Sequence, residues 1–249
     1  MLFQRIKTFY YMHLSLKIGK LDCHFLMKQA NVVRLIQTYK LRFESLLDIG
    51  CANGLYSIRL SKKFPEVSYL EGFDCSEKSI HYAQSLSKIN LGIDSKFYVS
   101  NIENTIIENK FDLILFLDCL QYLNNKNFVF QQLISSLKEN GHLILYVPPS
   151  DRENIRLPKF ISNRQPTCNI PYPALTVIDD LFRKHGLKVV ELNWVGGKAI
   201  RYYMAFKYWL NSYHKTISYF FFPLDIIFAQ VDRLPKRYGY GLFFLLKHT

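Results

Sequence analysis

The sequence predicts an α/β fold in which helices cover both faces of a mostly parallel sheet. The first observation behind this is an apolar run at residues 46–49 that ends in a loop bounded by Gly50 and Gly54, as expected where a buried strand turns into a helix. The second is an alternation of strand-like and helix-like segments with short connections over residues 45–147. This rhythm implies parallel strands joined by right-handed crossovers.

The loop after the first predicted strand is the leading candidate for a binding site, and it reads Asp48-Ile49-Gly50-Cys51-Ala52-Asn53-Gly54. Gly50 and Gly54 lack a Cβ atom, so the backbone can turn tightly there and a ligand can approach the main chain. Asp48 lies near the carboxyl end of the strand, the edge where open α/β sheets bind their ligands. A helix predicted at residues 55–64 would point its free amides and positive dipole end at that ligand.

This loop resembles the D-x-G-C-x-x-G loop of class I S-adenosylmethionine-dependent methyltransferases. It differs from the dinucleotide pattern G-x-G-x-x-G because Cys51 and Ala52 do not supply the middle glycine that lets the backbone approach a pyrophosphate. Taken alone, the loop is also compatible with an ordinary strand-to-helix turn. The resemblance implies a Rossmann-like class I methyltransferase fold, with a seven-stranded mostly parallel sheet, an antiparallel last strand and helices on both faces. It also implies S-adenosyl-L-methionine as the cofactor, bound in this loop by Asp48, Gly50, Cys51, Asn53 and Gly54.

A second segment lies at the spacing that this family shows. The second predicted strand ends in Gly72-Phe73-Asp74-Cys75-Ser76, about 20 residues beyond the loop, where a carboxylate can accept hydrogen bonds from both hydroxyls of a ribose. The resemblance therefore assigns Asp74 and Cys75 to the cofactor site. Ser76 is the predicted N-cap of a helix at residues 77–89. From these residues alone, a simple turn at Asp74 remains an alternative.

The third and fourth predicted strands extend the resemblance. The third leads to Asn101 and Ile102, where the family usually carries Asp and where an acceptor meets the adenine amino group; an amide oxygen can still accept that bond. The fourth, within residues 111–123, resembles the block in which a Phe-Asp-hydrophobic run leads into the reaction centre. It places Asp118 and Tyr122 there as candidate catalytic residues, and Asp118 is also a candidate cofactor ligand.

The chemistry that the resemblance implies makes modest demands on side chains. Methyl transfer is an in-line displacement, so the protein must mainly hold nucleophile, methyl carbon and sulfur collinear in a dry pocket. Tyr122 takes the place where relatives often carry histidine, and its ordinary pKa of about 10 makes it a poor base. We therefore expect it to orient the acceptor or to close a lid. Further candidates at this edge are Gln121, Asp151, Arg152 and Lys198, whereas topology discounts His142, His185 and His248.

The positive charge of the chain is concentrated at its two ends. The net charge is +12, and residues 1–44 and 198–249 each carry eight Lys or Arg against two Asp or Glu. The segment between them is therefore neutral. No N-P-P-Y type block follows the fourth strand, which argues against nitrogen methylation of adenine or glutamine amides. We expect no DNA partner. Because both flanks are basic and rich in aromatic residues, an anionic membrane surface is a candidate partner.

We expect four regions in the chain: an N-terminal helical cap at residues 1–44, the cofactor-binding core at 45–197, an aromatic helical insertion at 198–238 and the final strand of the core at 239–249. A proline-rich stretch at residues 148–173 leaves the carboxyl end of a strand and is interpreted as part of a substrate lid. The insertion has no apolar run of about 20 residues that could span a bilayer. Its aromatic side chains could pack on the sheet, face a membrane interface or stack on RNA.

The pattern of cysteines indicates a reducing compartment. The five cysteines form no C-x-x-C pair, so we expect reduced thiols in a cytoplasmic protein, with peripheral membrane attachment as a variant. We expect no metal site. For Cys51 and Cys75 we favour a packing role over reactivity.

The sequence therefore favours an S-adenosylmethionine-dependent methyltransferase that acts on a small-molecule, sugar or lipid-linked acceptor, with oxygen preferred as the acceptor atom. Two alternatives stay open at this point. One is a noncatalytic interaction or scaffolding protein that keeps the cofactor fold, and the other is an RNA methyltransferase. The identity of the acceptor, the general base and the oligomeric state do not follow from the sequence.

Overall fold

The computed structural model describes residues 22–150, 172–213, 221–231 and 239–248. The predicted helix at residues 1–20, most of the proline-rich stretch, and the candidates Asp151 and Arg152 lie outside the described residues. Seven strands form one sheet: β1 (Ser45–Ile49), β2 (Tyr69–Asp74), β3 (Asp94–Val99), β4 (Phe111–Leu117), β5 (Leu137–Val147), β6 (Leu187–Val195) and β7 (Gly241–His248).

The sheet has the order β3-β2-β1-β4-β5-β7-β6. Strands β1 to β5 pair in parallel, and β7 runs antiparallel to both β5 and β6. The predicted fold class is confirmed. The strand order reverses between β1 and β4, and a reversal of this kind opens a crevice at the carboxyl ends of the strands where open α/β sheets bind ligands.

Seven α-helices are described around the sheet, with a short 3₁₀ helix (Leu120–Tyr122) after β4. The α-helices are α1 (Cys23–Thr38), α2 (Leu55–Lys63), α3 (Glu77–Asn90), α4 (Lys126–Ser135), α5 (Leu175–Lys184), α6 (Lys198–Tyr213) and α7 (Phe222–Val231). Ser76 caps α3 as predicted, since its side chain accepts a hydrogen bond from the Ser79 amide. No described helix has the length and apolar content needed to cross a membrane.

Strand β1 is buried along its whole length and separates two apolar clusters. Leu46 packs into the cluster on the α1 and α2 side, and Leu47 packs into the cluster on the opposite face. This alternation follows from the two-residue repeat of a strand, which also turns Asp48 toward the α1 side. The apolar residues of this strand thus support both faces of the sheet, Leu46 on one side and Leu47 and Ile49 on the other.

The sequence predicts a helix at residues 128–138, with Glu139-Asn140-Gly141 as its C-cap signal and a strand from His142; the helix is present, but its predicted end was wrong. Helix α4 ends at Ser135, and β5 already begins at Leu137. The pairing of β4 with β5 shifts register between Phe111 and Leu113, so residues 138–141 form an irregular insertion within the strand. A Cβ atom on Gly141 would lie 2.9 Å from the Phe111 carbonyl oxygen, so this glycine permits close backbone approach and does not cap a helix.

The predicted aromatic insertion contains α6 and α7, and it packs in part on its own domain. Tyr203 of α6 is buried and stacks on Phe228 of α7 with ring centroids 4.4 Å apart. Lys207 and Asp225 form a buried ion pair between the two helices. Other side chains of the insertion, including Tyr208 and Ile227, are exposed.

Candidate functional site

A cavity of about 720 Å³ lies at the carboxyl ends of β1, β2 and β4, within the size range of small-molecule sites. Its lining includes the loop after β1, the residues that follow β2 and β3, the 3₁₀ segment after β4, and the first turns of α1, α2 and α3. Nearly all of the predicted site residues line this cavity, namely Asp48, Gly50, Cys51, Asn53, Asp74, Cys75, Asn101, Ile102, Asp118 and Tyr122.

The loop after β1 has the tight conformation that its glycines predict. Gly50 and Gly54 have φ of 69° and 68°, in the left-handed region. A Cβ atom on Gly50 would lie 2.3 Å from Cys119 Sγ, and one on Gly54 would lie 2.9 Å from Ala83 Cβ. Gly54 is not among the residues that line the cavity and lies behind the loop, beside Ala83 and Phe97.

Asp48 is a buried carboxylate at the floor of the cavity. Among the described residues, its Oδ2 atom has no hydrogen-bond partner. The pKa of Asp48 is raised from 3.8 to about 6, mainly by burial and also by the nearby Asp74 carboxylate, whereas hydrogen bonds from Ser57 and the charge of Lys28 act in the opposite direction. A buried carboxylate oxygen without a donor favours a cationic ligand group such as an ammonium.

Asp74 is held at the end of β2 by two backbone amides. Its Oδ2 accepts a hydrogen bond from the Ala52 amide at 2.9 Å, and its Oδ1 accepts one from the Ser76 amide at 2.8 Å. Each carboxylate oxygen can accept further bonds, so the group is oriented and still able to receive two hydroxyls. The link to Ala52 also ties the predicted ribose-binding residue to the loop after β1.

Asn101 follows β3, and its side-chain oxygen is less available to a ligand than the sequence suggested. Its amide oxygen accepts a hydrogen bond from the Glu103 amide at 3.0 Å, so a ligand amino group would have to share that oxygen. The Glu103 carboxylate is in turn fixed by the amides of Asn124 and Asn125. The bond from the Asn125 amide is the largest influence that lowers the pKa of Glu103. Ile102 is buried and adds an apolar surface to the same wall.

The segment after β4 carries the two candidate catalytic residues. Asp118 has a left-handed backbone with φ of 60°, and its carboxylate pairs with the Lys28 ammonium of α1. Gln121 is buried and donates a hydrogen bond to the Asp118 carbonyl oxygen at 2.9 Å. Tyr122 is 62% exposed at the rim of the cavity, which suits a residue that contacts an incoming acceptor.

The first turns of α1 contribute residues that the sequence reasoning missed: His24, Phe25 and Lys28. His24 Nε2 lies 3.2 Å from the Tyr146 hydroxyl, and the Phe25 ring lies 4.5 Å from that of Tyr56. Their spacing places them on one helical face. The residue Asp22, which accepts a hydrogen bond from the His24 amide, was a readable N-cap signal for this helix, but nothing in its sequence shows which cavity it covers.

The cysteines and the remaining candidates do not add a reactive centre. Burial raises the pKa of the Cys51 and Cys119 thiols, which keeps them protonated and supports a packing role. In the described ranges, no group of histidine, cysteine and acidic residues has the arrangement of a metal site. Lys198 begins α6 and does not line the cavity.

The parallel sheet with its antiparallel last strand, together with a cavity built on the loop after β1, defines a class I methyltransferase. A family model described as a methyltransferase domain matches residues 43–199, well over half of the chain. The chain therefore belongs to this family of S-adenosylmethionine-dependent methyltransferases. The cavity fits that cofactor, since an unpartnered buried carboxylate oxygen, an oriented carboxylate and a glycine loop line one continuous space.

Two curated relatives align with part of the chain. Malonyl-[acyl-carrier protein] O-methyltransferase 2 of Ilyobacter polytropus is 34% identical over 102 residues, which is 41% of this chain and 38% of the relative. Ubiquinone biosynthesis O-methyltransferase of Pelagibacter ubique is 35% identical over 101 residues, which is 40% of each protein. The chain thus spans about two fifths of the length of these curated relatives.

Among solved structures, the O-methyltransferase of a trans-AT polyketide synthase from Brevibacillus brevis, in complex with S-adenosyl-L-homocysteine, has the same fold. The TM-score is 0.58 at 18% identity, covering 90% of this chain and 72% of the other. At this level of identity the likeness concerns the fold alone.

Proposed function

We propose that this protein transfers the methyl group of S-adenosylmethionine to an oxygen atom of a small-molecule, sugar or lipid-linked acceptor. The observation that carries the proposal is the buried Asp48 carboxylate, which has an unpartnered oxygen in the same cavity as the oriented Asp74. An ammonium at Asp48 and a ribose at Asp74 would place one ligand across the loop after β1. A nucleoside attached to an amino acid has both groups.

When bound, the cofactor supplies an electrophilic methyl group, and the protein must orient the acceptor and exclude water. The α1 side chains Phe25 and Lys28 cover one side of the cavity, and Tyr122 stands at its rim. His24 provides the imidazole that the segment after β4 lacks. Imidazole is the side chain that most often acts as a general base, so we assign His24 the removal of the proton from an acceptor hydroxyl.

Oxygen is favoured as the acceptor atom because the two curated relatives described above are named as O-methyltransferases. Their alignments cover only about two fifths of their own length, so acceptor identity is not carried over from either. We also propose a cytoplasmic location, which the unoxidised thiols of Cys51, Cys75 and Cys119 support.

The cofactor requirement can be tested by thermal unfolding of the full chain with S-adenosylmethionine, with S-adenosylhomocysteine and with NAD. A ligand that binds only the folded state raises the unfolding temperature in proportion to its affinity. We expect stabilisation by the first two ligands and none by NAD. Absence of stabilisation by either sulfur compound would contradict the proposal.

The reaction itself can be tested with methyl-labelled cofactor and fractionated cell lysate. Label should appear in a small-molecule or lipid fraction. A methyl ether would retain the label in mild base, whereas a methyl ester would release it as methanol. Label found only in protein or RNA would overturn the proposed acceptor class. Binding of the cofactor without any transfer would instead support a noncatalytic role.

A further inference from the structure

Helix α7 presents an apolar face to solvent. Four aliphatic side chains are between 41% and 57% exposed, namely Leu224, Ile226, Ile227 and Val231. The opposite face of the same helix is packed, with Asp225 and Ala229 fully or almost fully buried. Of the exposed set, residues 224, 227 and 231 follow helical spacing and form one stripe. An isolated exposed aliphatic residue is ordinary, but a stripe of this kind marks an interaction surface.

Positive charge lies beside Ile226, at one edge of the exposed face of α7. A second cavity of about 390 Å³ lies between α1, α2 and α7, and Ile226 lines it together with Arg59, Lys62 and Lys63 of α2. Apolar side chains of α1, including Leu26 and Val33, line the same groove. Lys62 and Lys63 are exposed in the last turn of α2, so the groove has an apolar wall and a cationic rim.

We propose that the α7 stripe and the adjoining groove dock onto an anionic phospholipid surface. The ammonium groups of Lys62 and Lys63 contact the headgroup phosphates, and the aliphatic side chains of α7 enter the interfacial layer without spanning the bilayer. Charge favours this occupant over a second copy of the chain. A two-fold symmetric contact through this face would bring the lysines of both copies together, in a protein whose net charge is already +12.

The docking surface is connected to the methyltransferase cavity through α1. One side of this helix lines the cavity with His24, Phe25 and Lys28, and another side lines the groove with Leu26 and Val33. In a docked protein, only helix α1 would therefore separate the cavity from the lipid surface. This arrangement suits a lipid-linked acceptor if the proposed function is correct. Docking itself does not require methyl transfer, so the two proposals can fail separately.

The test is flotation of the full chain with vesicles of phosphatidylcholine alone or of phosphatidylcholine with phosphatidylglycerol, at low and high salt. We expect flotation only with the anionic vesicles, and less of it at high salt because the charges are screened. The double variant Lys62→Gln/Lys63→Gln should weaken partitioning by roughly 30-fold, from the usual contribution of a lysine near an anionic surface. Ile227→Asp should also reduce flotation strongly.

Matched controls separate this face from a general effect of charge or surface hydrophobicity. Lys184→Gln/Lys188→Gln removes the same charge from exposed positions elsewhere, and Ile106→Asp changes an isoleucine that is 74% exposed. Both should float like the wild type, and all variants should still bind S-adenosylhomocysteine. A chain that remains with the soluble fraction at low salt, or controls that lose as much partitioning as the test variants, would overturn the proposal. So would a dimer in light scattering that Ile227→Asp converts to a monomer, because the face would then be a subunit interface.

Discussion

The ammonium of Lys28 forms an ion pair with the carboxylate of Asp118, although 90 residues separate them in the chain. The Lys28 side chain is 12% exposed and that of Asp118 is 27% exposed, so solvent screens the pair only in part. Asp118 also has a left-handed backbone, which a non-glycine residue adopts only when its surroundings hold it there. The pair therefore fixes α1 over the end of the cavity where Tyr122 and His24 lie.

Removing either member of this pair should destabilise the protein, because the partner would keep a poorly solvated charge. In a double-mutant cycle of Lys28→Met and Asp118→Asn, we expect a coupling free energy of about 1–2 kcal/mol, measured by urea unfolding. The exposed pair Arg183 and Asp180 is the control and should couple by less than about 0.5 kcal/mol. Additive effects of the two cavity substitutions would show that the pair does not hold α1 in place.

Cofactor binding should depend on pH through Asp48. Because burial raises its pKa to about 6, the unliganded folded protein binds this proton more tightly than the unfolded chain does. The stability from that proton is complete below the ordinary value of 3.8 and is lost as pH rises through 6. A ligand ammonium prefers the ionised carboxylate, so affinity for S-adenosylhomocysteine should fall roughly tenfold from pH 7 to pH 5. Titration calorimetry of wild type and Asp48→Asn checks this, and the variant should bind weakly at both pH values.

Asp74→Ala should abolish most cofactor binding. The substitution removes the acceptor of two ligand hydroxyls and also frees the Ala52 amide from the loop contact. Loss of two hydrogen bonds to a charged group corresponds to a decrease in affinity of roughly 100-fold or more. Calorimetry with S-adenosylhomocysteine measures the change, with Asp179→Ala on the exposed side of α5 as control. Undiminished affinity in Asp74→Ala would be incompatible with the assigned cofactor site.

His24→Gln should slow methyl transfer while leaving cofactor affinity intact. If His24 removes the acceptor proton, the initial rate of label transfer into the active lysate fraction should fall about 100-fold, and the acidic limb of the pH–rate profile should disappear. His81→Gln, an exposed change on α3, provides the control. A rate that falls with an unchanged pH profile would indicate that His24 positions the Tyr146 hydroxyl and does not act as a base.

Gly241→Ala should destabilise the fold near His24. A Cβ atom at position 241 would lie 2.4 Å from the hydroxyl oxygen of Tyr146, which is fully buried and cannot move away freely. We expect a loss of about 1–3 kcal/mol in the free energy of unfolding, as for other overpacked sites. Gly92→Ala is the control, since a Cβ atom there meets nothing within 4 Å. Equal stability of the two variants would mean that Tyr146 can shift at little cost.

The grouping of residues around the glycine loop could be predicted because these residues lie on consecutive strands and loops of the chain. Strand, loop and helix lengths place Asp48, Gly50 and Asp74 at the same sheet edge once the strands are parallel. Gly54 lies behind the loop beside Ala83 of α3, a proximity between elements that sequence spacing does not reveal. Asn101 was assigned as an acceptor, yet its amide oxygen is already engaged by a local turn to Glu103.

The predicted start of β5 was wrong for a related reason, since the strand begins at Leu137 and not at His142. The segment Glu139-Asn140-Gly141 has the composition of a helix end, but pairing with β4 draws residues 137–147 into the sheet. Local preference was outweighed by the hydrogen bonds of a neighbouring strand and by burial of Leu143 and Leu145 on it. Such a competition cannot be decided from one segment alone.

By itself, the sequence determined the fold class, the order of the elements and the carboxylates that surround the glycine loop, because these depend on short-range patterns and on fixed chain distances. Only the tertiary structure decided that α1 covers the cavity, that Lys28 reaches Asp118 and that His24 lines the cavity beside Tyr146. These contacts join residues about 90 to 122 positions apart. Their partners are chosen by how whole helices pack on the sheet, and a helix sequence shows which face is apolar but not what that face will meet.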